Sequence, residues 1–242
     1  TDATGNYAET YFKQDDILKG KILQTKSYSS QNQLWNTITN SWGHESLSSL
    51  SGESVKRTYL NGSTTTFNDG NGEKSTEVQY TYDSYNNPVK VKSLGDVSIN
   101  GDEKVVTTKY NYNSSKHLFS NVKAIYVNDP NSTISCKCFD CECTNGTVIK
   151  KTEYYYDGAD SIDTPPEKGF VTKQSVWNGS GDSPTTKLEY DAYGNVAKGY
   201  DAKNIPIETE YDITLHQYPV KVKQKVNDTQ TLETTNSYDI AR

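Results

Sequence analysis

Methionine is absent from this sequence, phenylalanine occurs only five times, and apolar residues fill just 32% of its 242 positions. No run of them approaches the roughly 18 residues that a membrane-spanning helix requires, so a helical span is excluded. No signal-like apolar stretch stands at the start. The chain opens at Thr1 without a methionine, and the expectation is a piece of a longer protein. Lysine and arginine are not clustered among the aromatics, and the net charge is −6, which argues against a nucleic-acid groove. Helical periodicity is nearly absent too. Only Tyr7 to Leu23 invites a helical reading, and Gly20 with its strand-like flanks weakens it. Gly-x-Ser-x-Gly, Walker and dinucleotide glycine patterns are missing.

Tyrosine is abundant, with 19 copies. A tyrosine ring covers apolar area while its hydroxyl stays wet or bonded, which suits wide sheets with modest burial. Aromatic and β-branched residues alternate with polar ones between Gly/Asn/Asp/Pro turns, and this regularity favours ordered β structure over a disordered linker. Glu77 to Tyr82, Val89 to Lys92 and Lys104 to Tyr112 show the pattern, and it returns at Thr185 to Val196 and Ile207 to Val222. The fold class that follows is all-β, an antiparallel meander of hairpins with strands of five to eight residues.

Tyr-Asp punctuates this meander at Tyr82-Asp83, Tyr156-Asp157, Tyr190-Asp191, Tyr200-Asp201, Tyr211-Asp212 and Tyr238-Asp239. The fullest copy is Tyr190-Asp191-Ala192-Tyr193-Gly194-Asn195-Val196. Tyr ends a strand, and Asp accepts from backbone N–H groups ahead of it to start the turn. Gly194 or Asn195 supplies the positive φ that a tight hairpin needs. The copy at Tyr82 carries Asn86 where Gly194 stands, which left-handed geometry also accepts. Residues 128 to 147 depart from the pattern, and Gly158 to Gly169 reads as an irregular loop. The expectation is one repeat region over 1–242, with a soft division near 128–150.

These cassettes resemble the YD/RHS repeat proteins, which include the teneurins and the SpvB-like B component of bacterial insecticidal toxin complexes. Phe12 to Leu23, with Asp16-Ile17-Leu18-Lys19-Gly20, looks like the entry to the B-component middle region, and Tyr218-Pro219-Val220 looks like a phrase of the same family. The resemblance implies a hairpin ribbon forming part of a curved β-shell that encloses a toxic C-terminal polypeptide. It implies as partners the remainder of the parent chain and other toxin-complex subunits, and a secreted or cell-surface location. The family's self-cleaving Asp-Pro-x-Gly region is not matched, because Asp129-Pro130 is followed by Asn131-Ser132. The role expected is scaffold and not enzyme. A rival reading is a surface adhesion or carbohydrate-binding module.

Cys136, Cys138, Cys141 and Cys143 are symmetric about Phe139-Asp140. If those two residues turn a hairpin, alternation brings all four sulfurs to one face. Such thiols would bind zinc, close as one or two disulfides, or stay free; no other cofactor is expected. His44, His117 and His216 show no metal-ligand spacing, and Trp35, Trp42 and Trp177 read as packing anchors or as a sugar-stacking platform.

Overall fold

The computed structural model describes residues 1–242 except 51–52, 69, 71, 133–145, 228 and 240–242. Fifteen strands run in sequence order: β1 (Tyr7–Phe12), β2 (Ile22–Tyr28), β3 (Leu34–Leu50), β4 (Glu53–Asn68), β5 (Glu73–Tyr82), β6 (Pro88–Asp96), β7 (Lys104–Asn113), β8 (Leu118–Asn128), β9 (Val148–Tyr156), β10 (Val171–Trp177), β11 (Thr185–Tyr190), β12 (Val196–Tyr200), β13 (Pro206–Tyr211), β14 (Pro219–Lys225) and β15 (Thr231–Thr235). Each strand neighbours the next, giving an open antiparallel meander with β1 and β15 outermost. Among the described residues the one helical element is a 3-10 turn at Ser114–Lys116. Tyr7 to Leu23 is a hairpin and not a helix: β1 pairs with β2, and Gly20 takes φ +81° in the loop between them.

Strands β3 to β9 exceed the expected five to eight residues. β3 has 17 and β4 has 16, paired from Asn36 opposite Phe67 to Leu50 opposite Glu53. Register shifts at Ser41/Trp42 and Ser46/Ser48 interrupt this ladder, and such bulges let long strands keep twisting without losing their pairing.

Two compact units are present. The first comprises Thr1–Thr107 with Val127–Thr147, and the second Thr108–Tyr126 with Val148–Arg242. In the first, Leu18, Val89 and Val105 are buried together with Thr107 and Asn128, whose Nδ2 donates to Thr107 Oγ1 at 3.1 Å. In the second, Ala124, Tyr126 and Tyr156 are buried beside polar Asn111 and Ser175. Each interior is thus thin and part polar. It is held by ladder hydrogen bonds as much as by apolar contact, because a buried polar group is tolerated only when bonded.

Candidate functional site: turns closed by side-chain acceptors

Asp191 shows how an edge of the meander is made. Its N–H donates to Asn195 O at 2.9 Å, and Gly194 N–H donates back to Asp191 O at 3.2 Å. Its Oδ1 accepts from the N–H groups of Tyr193 (2.8 Å) and Asn195 (2.9 Å), while Oδ2 accepts from Asn195 Nδ2 at 3.0 Å. One carboxylate therefore satisfies donors that a tight turn turns away from the ladder. Asp83 repeats the arrangement with Tyr85 N–H (2.9 Å), Asn87 N–H (2.8 Å) and Asn87 Nδ2 (2.9 Å). Asp201 accepts from Lys203 N–H (2.9 Å) and Ile205 N–H (2.8 Å). The fourth residue of each turn has positive φ: Gly194 at +87°, Asn86 at +68° and Asn204 at +62°.

Two further copies escape a search for Tyr-Asp. Asp2, which follows Thr1, accepts from Thr4 N–H and Asn6 N–H, both at 2.9 Å, with Gly5 at φ +85°. Ser29 substitutes a hydroxyl for the carboxylate: its Oγ accepts from Gln31 N–H (3.2 Å) and Gln33 N–H (3.1 Å), with Asn32 at φ +61°. The structural requirement is an acceptor at the first position and a left-handed-tolerant residue three later. Tyrosine in front is an addition to it.

The same acceptor also closes longer loops. Asp212 Oδ2 takes the N–H groups of Thr214 (3.1 Å) and Leu215 (2.6 Å), and its Oδ1 takes those of Gln217 and Tyr218, both at 2.9 Å. Led by Leu215 and Tyr218, these donors outweigh burial and hold the Asp212 carboxyl far below the usual carboxylate range. Asp157 gathers a much longer loop, accepting from Glu167 (2.7 Å), Lys168 (2.9 Å), Gly169 (3.2 Å) and Phe170 (3.0 Å) N–H groups. Partial burial works to raise the Asp157 carboxyl, and those four donors win, leaving it lowered. The Asn195 side chain, helped by the turn's N–H groups, lowers Asp191 in the same way. The 158–169 loop is also tied down by Asn111 Nδ2, which donates to the Ile162 and Thr164 carbonyls, and by Asn113 Nδ2, which donates to Pro166 O at 2.8 Å.

Tyrosines join successive turns along one edge of the second unit. Tyr190 Oη donates to Val171 O at 2.8 Å while its ring stacks on Phe170 at 4.7 Å. Tyr211 Oη reaches Val196 O (3.2 Å), and Tyr238 Oη reaches Pro219 O (3.1 Å). Each hydroxyl thus lands on the first residue of an earlier strand, β10, β12 or β14. Between the Asp191 and Asp212 turns, Asn195 Nδ2 donates to His216 O at 2.7 Å, and Tyr193 stacks on the His216 ring at 3.7 Å.

Other residues singled out from the sequence fall elsewhere. Cys136, Cys138, Cys141 and Cys143 lie outside the described residues. On either side of them, Asp129 N–H donates to Thr147 O at 2.8 Å. His44 is exposed on β3, and His117 takes φ +56° after the 3-10 turn. The tryptophans form no common platform within a unit: Trp35 is exposed on β3, and Trp42 donates Nε1–H to Ile22 O at 2.8 Å under Lys21 Nζ. Trp177 is on β10 in the second unit. Among the described residues no group of three or more His, Cys, Asp or Glu is placed to hold a metal ion.

No family model matches the chain, and no curated protein does. Solved structures do. The chain is similar to one in the crystal structure of TcdB2-TccC3-Cdc42, with a TM-score of 0.54 and 11% identity over 86% of this chain. It is equally similar, with a TM-score of 0.54 and 10% identity, to one in TcdB2-TccC3 without the hypervariable C-terminal region. A third structure, TcdB2-TccC3-TEV, gives a TM-score of 0.52 at 10% identity. In each case this chain spans 15% of the matched chain's length. At such identity the likeness establishes the fold alone, an antiparallel β-meander shared with those TcdB2-TccC3 chains.

Proposed function

We propose that this chain is a wall segment of an RHS-type β-shell, in a secreted or surface-delivered toxin-complex protein that encloses a toxic polypeptide. Its work is steric and not catalytic. The observation that carries this reading is the antiparallel meander whose described turns at Asp83, Asp191, Asp201 and Asp212 are each closed by a carboxylate. Side-chain acceptors close the turns, and tyrosine hydroxyls and ring stacking link successive turns along one edge. A sheet meant to exclude solvent and proteases needs edge loops that stay shut, because an opened turn is where nicking begins. The fold shared with the TcdB2-TccC3 chains supports the same role.

The test uses the full-length gene product. Limited proteolysis should leave an enclosed C-terminal polypeptide intact in the wild type. Asp191→Ala combined with Asp212→Ala should open cuts within residues 191–218 and expose the cargo. Cargo digested at the same rate in the wild type and in this variant would overturn the wall reading.

A further inference from the structure

β3 and β4 run on together past the strands beside them. β2 accompanies β3 only as far as Thr39, and β5 accompanies β4 only from Gly62 onward. Ser41 stands opposite Gly62 and Trp42 opposite Leu60, so Asn61 is the extra residue of a bulge. Such a bulge bends its strand, and β4 leaves the β5 ladder at this point. Beyond it, among the described residues, a two-stranded arm pairs Trp42 with Leu60 at its root and Leu50 with Glu53 at its tip. That is about 30 Å of strand. A hairpin alone is marginally stable in water, and this one leaves Leu47 53% and Val55 46% exposed.

The two edges of the arm differ. Along β4 the approach is closed: Arg57 donates Nη1–H to Asp83 O at 2.6 Å, and the Tyr59 ring meets Tyr82 at 5.8 Å. Along β3 it is closed only at the root. There Asn40 Nδ2 and Trp42 Nε1 donate to Ile22 O at 3.0 and 2.8 Å, which caps β2. Past Trp42, β4 is the one strand that pairs with β3 among the described residues, and His44 and Glu45 are exposed. An edge of this kind is a template for another strand, and lysine or proline commonly blunts it. This stretch of β3 has neither.

Charge decides what fits there. In the second unit Glu189, Lys198, Glu208, Lys223 and Glu233 stand in one row across β11 to β15, alternating in sign. Lys198 and Glu208 are in contact at 2.8 Å. In the arm the row runs from Arg57 to Glu45, in contact at 2.6 Å, and stops at β3 with the Glu45 side chain 44% exposed. The next place in that row calls for a cation. Two residues along, on the same face, a newcomer would lie beside Gly43. The Tyr59 ring covers that glycine, because a Cβ there would meet Tyr59 Cε2 at 2.6 Å. A β-branched side chain suits the ring's flank, as aromatic and β-branched neighbours stabilise a sheet. A second copy of the chain is a poor occupant. Its outermost strands β1 and β15 offer Glu9 and Glu233 and no lysine or arginine.

We infer that the outer edge of β3 at Gly43–Glu45 takes an extended strand from another polypeptide, with Lys or Arg beside Glu45 and a β-branched residue beside Gly43. Main-chain hydrogen bonds would hold the strand and these two side chains would select it. The contact does not depend on the wall role.

The test uses the 242-residue chain and two synthetic peptides of alternating threonine and valine, one with a central lysine and its twin with glutamate there. Calorimetry should give the lysine peptide a Kd near or below about 1 mM, with the glutamate twin about tenfold weaker. Amide hydrogen exchange should show new protection on the outward-facing amides of Gly43–Glu45 and none along β4. Glu45→Lys should reverse the preference between the peptides, and Glu45→Gln should erase it without setting two cations side by side. Glu9→Lys, on another edge strand, should leave the preference unchanged. Failure of the lysine peptide to bind, equal binding of the twins, or protection gained on β4 would each overturn the assignment. So would sedimentation showing that the chain alone self-associates and that Glu45→Lys abolishes this, since the occupant would then be a second copy.

Discussion

Two closures in the second unit begin alike and end differently. Asp191 closes within four residues on Asn195, whereas Asp157 holds a loop that returns only at Phe170. The short turn needs Gly194 in the left-handed region; in the long one Asp157 itself takes φ +55°. What they share is a carboxylate, placed just beyond the strand end, that accepts backbone N–H groups from the returning side of its loop. The meander therefore tolerates insertion at an edge so long as that carboxylate remains, since lengthening a loop costs little once its ends are held. Asp212, with four donors and a buried position, lies between them in loop length, and those donors hold its carboxyl far below the usual carboxylate range, so it gives up its proton readily.

This comparison breaks most visibly at Asp212. Asp212→Ala strands four N–H groups and should give the largest fall in melting temperature among the turn variants, which thermal unfolding by circular dichroism would measure. The same site sets an acid limb. A carboxyl whose folded pKa lies below its unfolded value contributes stability that is fully present above about pH 4 and is lost as pH falls further. Melting should therefore be insensitive to these turns between pH 7 and pH 5 and should drop below pH 4. Asp212→Asn should flatten that drop.

Smaller effects separate the short turn from the long one. Asn86→Val forces a β-branched residue to φ +68° and should cost about 1–2 kcal/mol, while Asn86→Gly should stay within roughly 0.5 kcal/mol of wild type. In the long loop Asp157→Ala should cost about 1 kcal/mol, reduced by solvent exposure, with new proteolytic cuts confined to 158–169. Asn111 and Asn113 still hold that loop from β7, so it should open without unfolding the strands beside it.

Much of this architecture was legible in the chain. Period-2 alternation and Tyr-Asp punctuation locate the C-terminal strands and the turns at Asp83, Asp191, Asp201 and Asp212, because one residue pattern there encodes both strand end and turn start. Asp2 and Ser29 escaped because the visible dipeptide is not the physical requirement. An acceptor followed three residues later by Gly or Asn would have found both, as Asp2 with Gly5 and Ser29 with Asn32. The lengths of β3 and β4 were also hidden. Asn61-Gly62 reads as a turn, yet Gly62 lies within the ladder, close against Val78 O where a Cβ would stand only 2.7 Å away.

Side-chain acceptors close the edge, and tyrosine adds to a closure already made. Amide hydrogen exchange at Tyr193 and Asn195 tests it most directly, in Asp191→Ala and in Tyr190→Phe measured side by side. Asp191→Ala should remove the protection of both amides while the β11 and β12 ladder stays protected. Tyr190→Phe, which loses one hydroxyl bond worth about 1 kcal/mol, should leave both amides protected. The opposite outcome, protection lost on removing the tyrosine hydroxyl and kept without the carboxylate, would contradict the account.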